Sequence, residues 1–509
     1  MRPHPDLSGT APKPTWLPIG LGSLLRLVQI WMPVLGVHSW RQADTAAMAR
    51  HFSLAGTPIW LPQVDWSGAS AGFVESEFPL YPFLVSRLYN LMGVQEWLGR
   101  GLSVLCSALT IWLVMRLGRR WFTPQVGWWA GMAFALAPLG VYYGRTFQAE
   151  ALLVLCAAGS LEAHSIFVER RKAWALSLSW ICFTGAALIK VIPWLWLGLP
   201  LLLVQLTPSP RAKAESPEQM LRRLLRLSLN PWFWVYVSTA LAVTSAWYVH
   251  AYQLGEASGL TFGFWGEDSD RSNIGLALNL SSWVNLAIRT GLRALVVTGV
   301  PLLMIGTMRC WRFGGGRIAL GGAVGMLICT VATMRSSTVH EYYQFPFLLF
   351  SSPLVGLGWQ TLQYKQRRWT IQMLLSITLI ASLSILSFDY WAVEIRRLST
   401  WMPLAESIRK EIPVNARVVC VTDSDPTLLN LARRQGWIIP SRELTIDQLK
   451  KLKDDGASYL TGSLNWRNTY TPMQEAESNR IRELIQAHNI SFIDNKEKTY
   501  LIPIKNLIP

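Results

Sequence analysis

Apolar runs long enough to cross a lipid bilayer recur through the first 390 residues, and they constrain this chain more than any other feature. They fall near 17–36, 101–117, 126–143, 150–167, 174–189, 191–206, 232–250, 289–307, 318–334, 343–359 and 369–389. A helix crosses the hydrocarbon core with roughly 20 apolar residues, and its backbone polar groups must be satisfied within the segment. The expected fold class is an α-helical polytopic membrane protein with about 11 transmembrane helices plus interfacial helices. A twelfth run, 79–95, opens Pro79-Leu80-Tyr81-Pro82 and carries Arg87; it either spans, which would put residues 37–78 in the cytoplasm, or lies along the interface, the reading preferred because it gathers the polar groups on one face. Composition agrees: 51% of residues are hydrophobic and only 15% charged, against about 25% charged in a soluble domain. The 26 Trp residues suit membrane–water interfaces.

The net charge of +16 sits in short clusters between apolar runs, which fits positive-inside topology and not nucleic-acid binding. Arg116/Arg119/Arg120, Arg170/Arg171/Lys172, Arg211/Lys213/Arg222/Arg223/Arg226, Arg309/Arg312/Arg317 and Lys365/Arg367/Arg368 mark the expected cytoplasmic connections. The opposite connections hold Glu150, Lys190, the acidic loop Glu256/Glu267/Asp268/Asp270, and His340-Glu341. This places the N-terminus inside and residues 37–100 outside. The first apolar stretch has no small-residue cleavage signature after it and reads as a retained anchor. The expected location is the inner membrane of a bacterium, with the polar face on the periplasmic side.

Character changes after residue 390. Residues 416–422 read as a strand, 426–434 and 445–454 as helices, 457–461 as a strand, 475–488 as a helix, and 490–504 as paired strands. The division expected is a membrane domain over 1–390 and a small soluble α/β domain over 391–509, on the same face as the polar connections. Six cysteines form no C-x-x-C pair and suggest packing residues. There is no phosphate loop, no dinucleotide glycine motif placed after a strand and no G-x-S-x-G elbow, which argues against nucleotide-driven transport and serine hydrolysis.

Candidate chemistry gathers on the outer face. Asp44 follows Trp40-Arg41-Gln42 and opens a helix-compatible segment, Thr45 to Leu54. A firmly held carboxylate there suits a general base taking a proton from an acceptor hydroxyl, although a lone acid after a span is also often a helix cap. Glu75 and Glu77 precede an aromatic, Pro-containing turn, with Glu77 the better placed to face a site. Arg145 and Glu150 lie five residues apart and either pair with each other or serve a phosphate and a neighbouring group. Lys190 sits among apolar residues, where a charge costs about 2.5–3.5 kcal/mol at mid-membrane unless it snorkels; a lipid phosphate is its natural partner. Trp247 and Tyr248 end one span, with Trp247 suiting an interfacial belt. His340-Glu341-Tyr342-Tyr343 is denser in hydrogen-bonding groups than a belt requires. No spacing supports His340 as a metal ligand; no cofactor is assigned, and a divalent-metal requirement stays open without a convincing ligand set.

Taken in series, these elements resemble a known family: an acid after the first span, Glu77-Phe78-Pro79-Leu80-Tyr81, Arg145 with Glu150, Lys190-Val191-Ile192-Pro193, Trp247-Tyr248, and His340 through Pro346. The pattern resembles the GT-C glycosyltransferases related to protein O-mannosyltransferases and the aminoarabinose lipid A transferase. The resemblance implies a polyprenyl-phosphate sugar donor, inverting transfer without a nucleotide sugar, and a glycan, lipid or protein acceptor. It matches Asp44 to the catalytic acid, Glu77 to the acid before the Pro-containing turn, and Lys190 to the basic residue. Two positions depart from the family pattern: Thr45 stands where many relatives have a second acid, and Phe78 where many have Lys. On this reading Arg41, Arg145 and Lys190 offset the charge on the departing phosphate, while Glu77, Tyr248, His340, Tyr342 and Tyr343 hold the sugars. A secondary transporter or flippase of lipid-linked sugars is the alternative, although such folds commonly show two related halves and this chain shows none. A second alternative is a non-catalytic scaffold that presents the tail.

Overall fold

The computed structural model describes residues 14–207, 209–211, 216–262, 274–464, 481–483 and 498–507. All eleven apolar runs contain helix. Among the described residues, four helices are by themselves long and apolar enough to cross a membrane: Glu96–Trp121, Glu150–Arg170, Gly314–Ala332 and the 44-residue Arg368–Glu411. The pair Leu280–Ala294 and Gly299–Cys310, bent by 97°, adds a fifth if taken as one span. Length and composition alone do not confirm eleven spans among the described residues, and local chemistry explains several breaks. Pro138 divides the run 126–143 into Pro124–Leu136 and Pro138–Tyr143. The run 191–206 becomes Pro193–Trp196 and Gly198–Leu206. Proline lacks the N–H that would continue a helix but suits the first turn of a new one. Pro231 uses that preference: Asn230 accepts from the Trp232 N–H and starts the 28-residue helix Pro231–Ser258. The run 17–36 forms only Trp16–Leu27 before the chain turns irregular. Leu80–Met92, at 13 residues, is too short to span and fits the interfacial reading.

The 26-residue helix Glu96–Trp121 is about 39 Å long at 1.5 Å per residue and shows that the bundle has two distinct polar ends. At its start, the Glu96 carboxylate accepts from the Val34 N–H (2.8 Å) and from the Asn430 amide of the tail (3.2 Å). Its far end carries Arg116, Arg119 and Arg120. Between these ends lies an aromatic core that includes Trp129 stacked on Trp359 with ring centres 4.8 Å apart.

In the tail, strands β1 (Arg417–Val421), β2 (Gly436–Ile439), β3 (Ala457–Ser463) and β4 (Thr499–Pro503) form one sheet in the order β2-β1-β3-β4. β1 lies parallel to both β2 and β3, and β4 runs antiparallel to β3. The expected strand at 416–422 and helices at 426–434 and 445–454 are found as Arg417–Val421, Thr427–Ala432 and Ile446–Asp454. β2 was not legible as a strand. β4 pairs with β3, whereas 490–497, most of the expected helix 475–488, and Glu267, Asp268 and Asp270 lie outside the described residues. The helix Arg368–Glu411 runs straight through the expected division at 390/391, so the sheet hangs from a helix rooted in the bundle.

The sheet also grips the loop that follows Ser39–Leu54. The Gly68 N–H donates to the Gly436 carbonyl (2.8 Å) and the Gly436 N–H donates to the Asp65 carbonyl (3.0 Å). Gly68 has a φ of +58°, and a Cβ there would strike the Trp437 indole, so glycine is required twice over.

Candidate functional site

Asp44 lies in the helix Ser39–Leu54, whose buried Ala43, Ala46, Ala47 and Ala49 let neighbouring elements approach closely. Its side chain is closed off from water: the residue is 3% exposed. The Trp66 indole N–H donates to its Oδ1 at 2.8 Å. Burial pushes the Asp44 carboxyl up to about 8 even though Trp66 and Arg41 pull it down; Asp65 and Asp425 of the tail push it further. A carboxylate so placed exchanges its proton near neutral pH, as a general base requires.

Trp66 was missed by sequence reasoning, as were the groups that hold it. Its neighbour Asp65 accepts from Arg50 and sits 2.9 Å from His51 Nε2. Burial works to raise the Asp65 carboxyl, but Arg50 and His51 outweigh it and hold it below the ordinary carboxylate range. Asp65 therefore stays charged beside an Asp44 that is poised to be neutral. The Trp66 ring also meets Phe262 edge-on at 5.8 Å.

A continuous chain of contacts runs from Asp44 to Lys190. Arg41, one turn before Asp44, pairs with Glu77. The next residue's N–H, on Phe78, donates to the Leu188 carbonyl at 3.1 Å, and the Tyr248 hydroxyl reaches the same carbonyl at 3.4 Å. Trp247 is not a lipid-facing belt residue: it is buried, donates to the Ser76 carbonyl at 3.2 Å and meets Phe78 edge-on. Two residues beyond Leu188, Lys190 Nζ bonds to Glu150 at 2.7 Å and lies 4.6 and 4.7 Å from the ring centres of Tyr342 and Tyr343. Cation–π contact and the Glu150 carboxylate together offset its burial. His340 stacks on Tyr342 at 5.3 Å and meets Trp40 at 5.6 Å, which returns the chain of contacts to the start of the Asp44 helix. Arg41, Asp44, Glu77, Glu150, Lys190, Tyr248, His340, Tyr342 and Tyr343 are thus brought to one end of the bundle.

Arg145 is the exception and requires a correction. It is fully buried and pairs at 2.6 Å with Glu394, which also meets Arg100 at 3.3 Å. It does not pair with Glu150 and lies outside the chain of contacts from Asp44 to Lys190, because its guanidinium turns inward to Glu394. Arg293 was also missed. It pairs with Glu341 and lies 3.0 Å from Asp389, joining two π-helical turns, Thr290–Ala294 and Leu386–Trp391. Such turns often mark functional sites. Among the described residues, no group of three or more His, Cys, Asp or Glu is placed to hold a metal ion.

Residues 76–250 match the family model described as dolichyl-phosphate-mannose-protein mannosyltransferase. No curated protein matches the sequence. Among solved structures, ArnT from Cupriavidus metallidurans bound to undecaprenyl phosphate superposes with a TM-score of 0.63 at 15% identity, covering 96% of this chain and 97% of that one. The archaeal oligosaccharyltransferase AglB from Archaeoglobus fulgidus, solved with an inhibitory peptide and a dolichol-phosphate, gives 0.52 at 12% identity over 89% of this chain and 69% of its own. The arabinofuranosyltransferase AftD from Mycobacteria gives 0.52 at 16% identity over 93% of this chain and 37% of its own. All three are GT-C glycosyltransferases, and this multi-pass membrane chain shares their fold.

Proposed function

We propose that this GT-C chain is a membrane glycosyltransferase that moves a sugar from a polyprenyl-phosphate donor to an acceptor hydroxyl, with inversion, on the non-cytoplasmic face. The observation that carries the reading is Asp44: a carboxylate with a raised proton affinity, fixed on a helix beside Arg41–Glu77 and the Lys190 cluster. In the reaction, the acceptor oxygen attacks the anomeric carbon as the bond from that carbon to the phosphate oxygen breaks. Asp44 takes the acceptor proton, and the polyprenyl phosphate departs with the bonding electrons. Arg41 and Lys190 stabilise the charge on the leaving phosphate, each by exchanging part of its contact with Glu77 or Glu150 for the ligand. Tyr248, His340, Tyr342 and Tyr343 supply hydroxyl, imidazole and ring faces for the sugar. The match to relatives solved with undecaprenyl phosphate and dolichol-phosphate supports the class of donor.

The test is transfer by the full chain in nanodiscs from a polyprenyl-phosphate sugar. Asp44→Asn should lower turnover by about 10²–10⁴, the usual contribution of a general base, while donor affinity changes little. Undiminished turnover in that variant would remove Asp44 from the role.

A further inference from the structure

The end of the bundle opposite Asp44 holds an open cavity of about 580 Å³ lined by Arg116, Arg119, Arg120, Arg170 and Arg211 with Glu162 and Glu169. The two carboxylates are already committed. Buried Glu162 accepts from Arg116 at 2.6 Å and Arg120 at 2.8 Å, and Glu169 pairs with Arg120. Among the described residues, Arg119, Arg170 and Arg211 have no carboxylate partner; Arg211 Nε donates only to the Arg119 carbonyl, at 3.1 Å. Three guanidiniums therefore line a space that two glutamates cannot neutralise, and this excess positive charge favours an anion.

The surface beside the cavity indicates what kind. Leu105, Leu109 and Trp112 are 57%, 43% and 44% exposed. Their spacing puts them on the face of Glu96–Trp121 that carries Arg116 and Arg120. The Arg116 guanidinium lies over the Trp112 ring, 5.0 Å from its centre. An apolar strip thus runs along the helix into a basic cup at its end, which is the outline of a phospholipid, with acyl chains on the strip and phosphate in the cup. We propose that this cavity binds the phosphate of one anionic phospholipid from the adjacent leaflet, at a site separate from the Asp44 centre.

Native mass spectrometry of the full chain from nanodiscs of phosphatidylcholine and phosphatidylglycerol tests this. Phosphatidylglycerol should be retained in preference. Arg119→Gln, Arg170→Gln and Arg211→Gln together should weaken retention by roughly fivefold per guanidinium, on the order of a hundredfold in all. Arg309→Gln with Arg312→Gln, which removes charge outside the cavity, should leave retention unchanged. Equal losses in both variants would show diffuse surface attraction and overturn the site. Equal retention of the two lipids would also overturn it. A competition arm separates a lipid from a free anion: if millimolar inorganic phosphate occupies the three arginines and phosphatidylglycerol does not displace it, the lipid assignment fails.

Discussion

Replacing Trp66 with Phe isolates the one hydrogen bond that the Asp44 carboxylate accepts from an indole. The ring, its burial and its edge contact with Phe262 are largely kept, while the 2.8 Å N–H donor disappears. A hydrogen bond to a charged group contributes about 1.5–3 kcal/mol, and 1.36 kcal/mol corresponds to one pKa unit. The Asp44 carboxyl, already near 8, should rise by about one to two units. At pH 7 roughly a tenth of the native carboxyl is ionised, and about a hundredth to a thousandth of the variant's. Transfer at pH 7 should therefore fall by about tenfold to a hundredfold, and by about pH 10 the two enzymes should differ by no more than a few-fold. The assay is initial rate against pH at saturating donor, with fluorescence-monitored melting to confirm an intact fold. The native rate should climb with pH through about 8 because only the ionised base accepts a proton, and the variant's climb should be displaced upward. A loss of equal size at every pH would place Trp66 in substrate contact and refute the account of Asp44.

Asp44→Asn should also alter stability with a definite sign. The folded carboxyl near 8 lies above its ordinary value of 3.8, so the native fold loses stability as pH rises between those values. The variant lacks that slope, and the gap in melting temperature in its favour should widen from pH 4 to pH 8. Lys190→Met leaves Glu150 buried without its partner and should destabilise by about 3–5 kcal/mol; adding Glu150→Gln should restore much of the stability but not donor binding, measured as polyprenyl-phosphate affinity. Glu394→Ala strands both Arg100 and Arg145 and should cost at least about 3–5 kcal/mol, read from denaturation in detergent. Recovery in the triple variant Arg100→Met/Arg145→Met/Glu394→Leu, which strands no charge, would show the triad to be structural.

Sequence made legible what depends on local pattern. Apolar runs gave helices, and Asp44, Glu77 and Lys190 stood out as charges beside lipid-length segments, but the break that Pro138 makes inside the run 126–143 was not read. Partnership across the fold was not legible. Arg145 and Glu150 are near neighbours in sequence, yet a helix start separates their directions: Glu150 turns to Lys190 and Arg145 to a residue 249 positions later. Trp66 lies in irregular chain 22 residues from Asp44, with no periodicity to show which way it faces. The Asp65-Trp66 pair, set between Pro62 and Gly68 after a helix, was the available signal. β2 was hidden for a similar reason: four residues, Gly436–Ile439, are too few to display alternation.

The Glu394 triad also orders events at the ribosome. Arg100 and Arg145 precede their shared carboxylate by 294 and 249 residues. Arg100 in an early helix and Arg145 in the turn before another therefore wait through most of translation for the helix that carries Glu394. Until then both guanidiniums lack their carboxylate, and a product ending before residue 394 should be cleared by membrane proteases faster than the full chain.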